Sequence, residues 1–304
     1  MSVIYNGVMG LVLGDALGVP YEFKKRGTFR ITGMVGHGTH NQPMGTWSDD
    51  SSMVLATLDS LNVFGGRIDL DDIMSNFVRW YHEEGFTPHG SVFDMGGTTA
   101  SAIVRYSQGL SVDECGFDDG YSDGNGSLMR VLPLAFVDAS DYEVGKVSAL
   151  THASYNAVCG CQIYVRIVKN LIEGMSPKEA IKKAMQGFSE AKEYQRIPRI
   201  WKYDEKDILS GGYVVNSLEA ALWALTTTDS YLDCVYKAIN LGKDTDTIGA
   251  IAGGMAGIVY GIGGKKGIPK KMIRRVAKKG EIRELCKEAD SKFGKNMTKC
   301  KQKD

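Results

Sequence analysis

Ile248-Gly249-Ala250-Ile251-Ala252-Gly253-Gly254-Met255-Ala256-Gly257, continuing to Gly264, is apolar throughout, and its glycines at 249, 253 and 257 recur at i, i+4. Positions four apart share one face of an α-helix, so this spacing predicts a helix whose glycine face lets a neighbouring backbone approach closely. It reads as a central, tightly packed core helix. A membrane helix is the competing reading, because small-xxx-small spacing also occurs there; a stretch of this length and glycine content is too weakly apolar to insert well.

Outward from that segment, helix-like spacing recurs over Tyr5 to Leu17, Met53 to Leu61, Ile73 to Trp80, Thr98 to Tyr106, Val144 to Ala149, Ala157 to Ile172 and Leu218 to Leu225. Period-2 alternation bounded by turns is scarce. Gly-rich connectors at 33–45 and 116–126 lie between these stretches, and no Pro/Ser linker or low-complexity run marks a domain boundary. With 304 residues and 43% hydrophobic content the chain can bury a large core. The expectation is an all-α protein folded as a single compact domain over 1–304, with a basic C-terminal extension from about 265.

Lys+Arg and Asp+Glu are equal at 36 each, which lacks the basic balance of a protein that coats nucleic acid. The charge is uneven: Lys265, Lys270, Lys271, Arg274, Arg275, Lys278 and Lys279 crowd one stretch, leaving the preceding chain acidic. That basic tail reads as a solvated helix face or a frayed end, with docking of an acidic or nucleic-acid partner as the alternative. Cys115, Cys159, Cys161, Cys234, Cys286 and Cys300 show neither Cys-x-x-Cys nor Cys/His metal spacing and read as reduced thiols. No basic leader precedes the first apolar run, and Asp15 interrupts that run short of the ~20 residues that span a bilayer. A soluble, cytoplasmic protein without a membrane partner is expected.

Gly45-Thr46-Trp47-Ser48-Asp49-Asp50-Ser51-Ser52-Met53 sets adjacent carboxylates among hydroxyls at the start of a helix, and Asn240-Leu241-Gly242-Lys243-Asp244-Thr245-Asp246-Thr247 does so again just before Ile248. Helix capping is the plain explanation, since Ser, Thr and Asp satisfy free N–H groups and an acid in the first turn interacts with the dipole for ~0.3–1 kcal/mol. A cap requires one side chain, whereas each cluster carries two carboxylates plus hydroxyls. The surplus calls for a stronger counter-charge. Oxygen-only ligands suit hard cations such as Mg²⁺ or Mn²⁺ rather than zinc. If the clusters converge, Asp49, Asp50, Asp244 and Asp246 would balance two divalent cations, with Ser48 and Thr247 as hydroxyl ligands. The spacing does not fit an EF-hand loop. A haloacid-type phosphatase also uses Asp-x-Asp-Thr, but at the end of a parallel strand, and no strand is evident here.

In this order, the clusters resemble those of the ADP-ribosylglycohydrolase family, which includes the dinitrogen-reductase-activating hydrolases of bacteria. Further segments are similar to family motifs: Gly14-Asp15-Ala16-Leu17-Gly18-Val19-Pro20-Tyr21-Glu22, Phe93-Asp94-Met95-Gly96-Gly97-Thr98-Thr99, Asp123-Gly124-Asn125-Gly126-Ser127-Leu128-Met129-Arg130, Thr151-His152, and Gly212 through Trp223. These motifs run from about Tyr5 to Gly261. Ser48 and Ser51 stand where the family generally has Thr, which keeps the hydroxyl oxygen, and Lys243 replaces a common Gly.

The resemblance implies a single orthogonal multi-helix bundle and a hydrolase that removes ADP-ribose from a modified side chain with two divalent cations. It implies ribose hydroxyls on the metals and a pyrophosphate held by the glycine-rich loop Gly124, Asn125, Gly126, Ser127 and by Met129. Successive N–H groups in such a turn form an anion-binding concavity, although an ordinary Gly-Asn turn has the same sequence. His152, otherwise a core or capping histidine, would contact the phosphate or adenosine part, and Tyr121 or Phe117 would stack on adenine. Hydrolysis at the anomeric carbon passes through an oxocarbenium-like state. Glu22 and Asp94 are the proton-transfer residues: the Asp94 position is implicated in arginine-directed members, the Glu22 position in serine-directed ones. The expected substrate is an ADP-ribosylarginine-type adduct on protein; ADP-ribosylserine, O-acetyl-ADP-ribose and ADP-ribosylated nucleic acid are alternatives. A non-catalytic ADP-ribose-binding protein is the alternative of another class.

Overall fold

The structure, a computed structural model, describes residues 2–120 and 122–294. Tyr121 and Cys300 lie outside the described residues. In chain order the α-helices are α1 (Val3–Gly18), α2 (Asp49–Val63), α3 (Leu70–Glu83), α4 (Gly97–Ser107), α5 (Val112–Cys115), α6 (Asp141–Ala149) and α7 (Tyr155–Ile172). They continue with α8 (Pro177–Ala184), α9 (Val214–Thr226), α10 (Tyr231–Ile239), α11 (Thr245–Tyr260), α12 (Lys270–Ile273) and α13 (Lys279–Lys292). Among the described residues β-pairing is confined to isolated bridges. The fold is all-α, and Asp244 follows a helix rather than a strand, which removes the haloacid-phosphatase reading.

The Gly/Ala segment is the central helix α11, buried from Thr245 through Gly257 and packed against α1, α2, α7, α9 and α10. Its glycine face meets the glycines of α1, and the pairing runs antiparallel. A Cβ on Gly10 would stand 2.4 Å from the Gly253 carbonyl oxygen, one on Gly14 2.1 Å from that of Gly249, and one on Gly257 2.2 Å from that of Asn6. At the far end a Cβ on Gly18 would stand 2.4 Å from Asp246 Cα. No side chain fits at these crossings, so backbone packs on backbone. The C-terminal end of α1 is thereby fixed against the N-terminal end of α11.

Helix α1 is apolar on all sides because it is enclosed on all sides. Asp15 does not end it: Val3–Tyr21 is 19 residues long and apolar enough, by length and composition alone, to cross a membrane. That run is longer than the sequence reading allowed, and 83% of its most apolar window is buried inside the protein. Cys115, Cys159, Cys161, Cys234 and Cys286 are free and buried.

The basic segment after Lys265 helps hold the head of α2. The Ala277 N–H donates to the Gly45 carbonyl (3.0 Å), and the Trp47 indole donates to the Ala277 carbonyl (3.0 Å). Helix α13 lays Ile282, Cys286 and Ala289 on α1 and α2, while its charged residues face solvent.

Candidate active site

Antiparallel packing of α1 on α11 brings together the end of α1, the start of α2 and the start of α11. The two carboxylate clusters meet there: Thr247 Oγ1 donates to Asp50 Oδ2 at 3.4 Å across 197 positions of sequence. Capping does not explain the first cluster, because Ser48 at the head of α2 makes no side-chain cap bond. Asp15 of α1 does that work from outside the helix. Its carboxylate accepts from the N–H of Ser48 (2.9 Å), the N–H of Ser51 (3.1 Å) and both seryl hydroxyls (3.0 and 2.5 Å). Burial pushes Asp15 up to about 7, against the pull of those donors. In the sequence Asp15 is marked only as a lone acid inside an apolar helix. Asp15→Asn would turn an amide NH₂ toward at least one of four donors. It is expected to cost about 1–3 kcal/mol of stability and to weaken divalent-cation binding, checked by thermal melting and by Mn²⁺ titration.

The clustered acids are poorly compensated. Asp49, Asp50 and Asp246 are pushed well above the ordinary carboxylate range, chiefly by burial and then by Asp50, Asp15 and Glu22 respectively; Asp244 is raised by burial as well. Two buried oxygens, Asp50 Oδ1 and Asp246 Oδ2, have no hydrogen-bond partner. Buried carboxylate oxygens without donors are costly unless a cation faces them, so the donor set fits a metal centre. Glu22, His40, Asp94 and Asp246 each bring one ligand atom within 4.8 Å of the others, a grouping able to hold a metal ion.

That grouping differs from the expected ligand set. Only Asp246 is common to both; Glu22 and Asp94 were expected to move protons, and His40 was not expected at all. Asp49, Asp244 and Thr247 line the adjoining cavity of about 330 Å³. Asp50 and Ser48 lie buried behind it, the Ser48 hydroxyl bridging Asp15 and Asp50 at 3.0 Å to each. His40 thus brings one imidazole to the edge of the oxygen-only set expected from the sequence.

Glu22 is not a surface carboxylate; it is 6% exposed and faces the cavity. Two segments hold it. On one side Phe23 N–H donates to the Lys243 carbonyl (2.6 Å) and Lys243 N–H to the Lys24 carbonyl (2.7 Å). Lys243 has φ +64° in this pairing, a conformation that favours Gly, and its side chain is exposed. On the other side the strap 37–42 lies on Pro20–Glu22: Thr39 N–H donates to the Pro20 carbonyl (3.2 Å) and Thr39 Oγ1 to the Glu22 carbonyl (2.7 Å). Asp94 enters from the turn before α4 with φ +55°, so it is both a turn residue and a cavity residue. Burial, then Asp94, pushes Glu22 up to about 10.

The opposite wall is the glycine-rich loop over His152. Gly124, Asn125, Gly126, Met129 and His152 all line the cavity. A Cβ on Gly126 would stand 2.8 Å from the His152 ring, which explains the glycine. His152 accepts or donates at Nδ1 to Thr151 Oγ1 (2.7 Å), and burial, then Arg130, pushes it down to about 3, so it is neutral. Asn125 uses its side chain on Asp244 Oδ2 (2.7 Å) and Ser217 Oγ (2.8 Å). The Asn125 N–H donates to the Gly212 carbonyl (3.0 Å), which removes that amide from the expected anion-binding set. The Ser127 hydroxyl does not reach the cavity: it bonds Ser148 Oγ (2.9 Å) and lies 3.3 Å from Cys161 Sγ. Phe117 stacks under the Arg105 guanidinium at 3.7 Å and is not among the cavity-lining residues.

Comparisons with known proteins bear on the family of the chain. The family model described as ADP-ribosylglycohydrolase matches residues 2–299, well past the last motif read from the sequence. The chain is 32% identical over 294 residues to the ADP-ribosylarginine hydrolase Tri1 of Pseudomonas putida, covering 93% of this chain and 76% of that protein. It is 29% identical to the ADP-ribosyl-[dinitrogen reductase] glycohydrolase of Rhodospirillum rubrum, over 93% and 92% of the two chains. A solved structure titled ADP-ribosylglycohydrolase-related protein complex superposes with a TM-score of 0.80 at 29% identity, over 96% of this chain and 98% of the other. With fold, carboxylate clusters and whole-length similarity in agreement, this chain belongs to the ADP-ribosylglycohydrolases and is a hydrolase of that family.

Proposed function

We propose that the protein releases ADP-ribose from modified arginine side chains, with two divalent cations, Mg²⁺ or Mn²⁺, in the acidic centre. The observation that carries the metal requirement is the pair of buried, donorless oxygens Asp50 Oδ1 and Asp246 Oδ2 where the two clusters meet. Asp49, Asp50, Asp244 and Asp246, with Ser48 and Thr247 beside them, are the residues that would hold the ions. Bound there, divalent cations would offset the clustered charge and polarise oxygen ligands as Lewis acids. The similarity to an ADP-ribosylarginine hydrolase supports arginine as the modified residue.

The protein's own groups supply the rest. A negative cavity wall favours positive charge developing at the anomeric carbon. Glu22, in the protonated form that its burial favours, gives its Oε proton to the departing guanidine nitrogen, and the Asp94 carboxylate takes a proton from the attacking water. The glycine-rich loop, kept close to neutral His152 by Gly126, offers backbone to the anionic part of the substrate without placing a second positive charge near the acids.

The test is a panel of ADP-ribosyl-arginine, ADP-ribosyl-serine, O-acetyl-ADP-ribose and ADP-ribosylated DNA, each with added cation and with excess EDTA. Metal-dependent release from the arginine adduct is expected. Release confined to another adduct would replace the arginine assignment, and tight ADP-ribose binding in calorimetry without any release would make this a binding protein. Asp94→Asn is expected to leave Mn²⁺ bound while slowing turnover ~10²–10⁴-fold, the span of general acid–base catalysis; unaltered turnover would remove Asp94 from the proton-transfer pair.

A further inference from the structure

His40 lies in the Gly-rich connector 33–45, where nothing in the sequence pattern singles it out. Its Nε2 is hydrogen-bonded to Glu22 Oε2 and stands 3.7 Å from Asp94 Oδ2, so one imidazole spans both proton-transfer carboxylates. The ring is caged, with Phe93 at 5.4 Å and Phe23 at 6.0 Å between centroids. The strap beneath it is built for one placement. Gly38 has φ +71°, and a Cβ there would stand 2.1 Å from the Pro20 carbonyl oxygen, so the strap lies directly on the backbone that leads to Glu22. His37 and Gln42 close the strap through an antiparallel bridge, and His37 Nδ1 bonds Asn41 Oδ1 at 2.9 Å. Thr39 fixes the main chain of Glu22 while His40 fixes its carboxyl group.

We propose that His40 is the positioning residue of the proton-transfer pair: it aims the Glu22 carboxyl at the cavity and sets its distance from Asp94, without itself touching substrate. The assignment rests on the reading of Glu22 and Asp94 as the groups that exchange protons with the substrate. A side chain that only completed the strap would affect folding; one that only bound a cation would affect cation affinity. A positioning group acts on turnover alone, because a misaimed proton donor still lets substrate and metal bind.

The experiment compares wild type, His40→Ala and His40→Gln in ADP-ribose release from ADP-ribosyl-arginine and, on the same preparations, in Mn²⁺ titration by calorimetry. His40→Ala is expected to lower kcat ~10–100-fold, as loss of a partner that orients an active group does, with KM and Mn²⁺ affinity unchanged. His40→Gln, which keeps an N–H able to donate to Glu22, is expected to recover most of that loss. The assignment is overturned if His40→Ala turns over as fast as wild type, if its defect appears as weakened Mn²⁺ binding, or if Gln does no better than Ala. A wild-type enzyme inert toward the arginine adduct would instead overturn the underlying reading, and this assignment with it.

Discussion

Asp246→Asn is expected to lower kcat/KM by at least ~10³-fold, since a metal centre contributes several kcal/mol of charge stabilisation, and yet to raise the melting temperature of the metal-free protein. Both effects have one cause. Asp246 is buried among Glu22, Asp94, Asp50 and Asp244, and its Oδ2 has no donor, so without a cation its charge works against folding. Removing that charge spares about 1 kcal/mol or more, or ~2–4 °C in a chain of this size. The same acids give the metal-free protein a defined pH response. Their folded-state values lie above those of the unfolded chain, so the folded form binds more protons and stability falls as pH rises. For Asp15 the contribution is complete below its ordinary 3.8 and lost as pH passes about 7. Melting curves in EDTA at pH 5.5 and pH 8 check this: wild type should melt lower at pH 8, and Asp246→Asn should shift less between the two. An Asn variant less stable than wild type in EDTA at pH 8, or a wild type fully active in EDTA, would contradict the account.

Gly14→Ala is expected to be as damaging, although residue 14 touches no substrate. The added methyl would stand 2.1 Å from the Gly249 carbonyl oxygen, so the two central helices must separate. Overpacking of this kind costs about 1–3 kcal/mol, or more where backbone has to move, and the shift carries Asp15 away from Ser48 and Ser51. Melting temperature should fall by several degrees and activity with it. Gly33→Ala is the control, because a Cβ there meets nothing within 4 Å; it should match wild type in both measurements.

What could be read from the sequence divides along physical lines. Periodicity exposed the long helices and the i, i+4 glycines of α11, since a repeating contact leaves a repeating pattern. Its boundaries came out short: α2 begins at Asp49 and α11 at Thr245, so Asp49 and Asp50 open α2 as their sequence suggests, whereas Asp246 sits inside the first turn of α11 rather than ahead of it. Helix α8 was missed although Ser176-Pro177-Lys178-Glu179 carries a capping box, because it is only two turns long. The carboxylate pairs were legible because two like charges side by side are unfavourable without a purpose. His40 was not: its role depends on a strap folded onto Pro20–Glu22, and such a contact has no period and no composition. Ser127 was over-read in the other direction, since a hydroxyl beside a glycine turn says nothing about which way it points.

The pairing of α1 with α11 also orders events during synthesis. Helix α1 is made before α11, and the surface that encloses it follows more than two hundred residues later, as the Gly10–Gly253 and Gly14–Gly249 crossings show. Contacts so far apart in sequence form slowly, and until they form, a 19-residue stretch, apolar but for Asn6 and Asp15, lacks the surface that buries it. Asp15, which in the folded protein organises the head of α2, is the one charge in that stretch and disfavours its insertion into a bilayer.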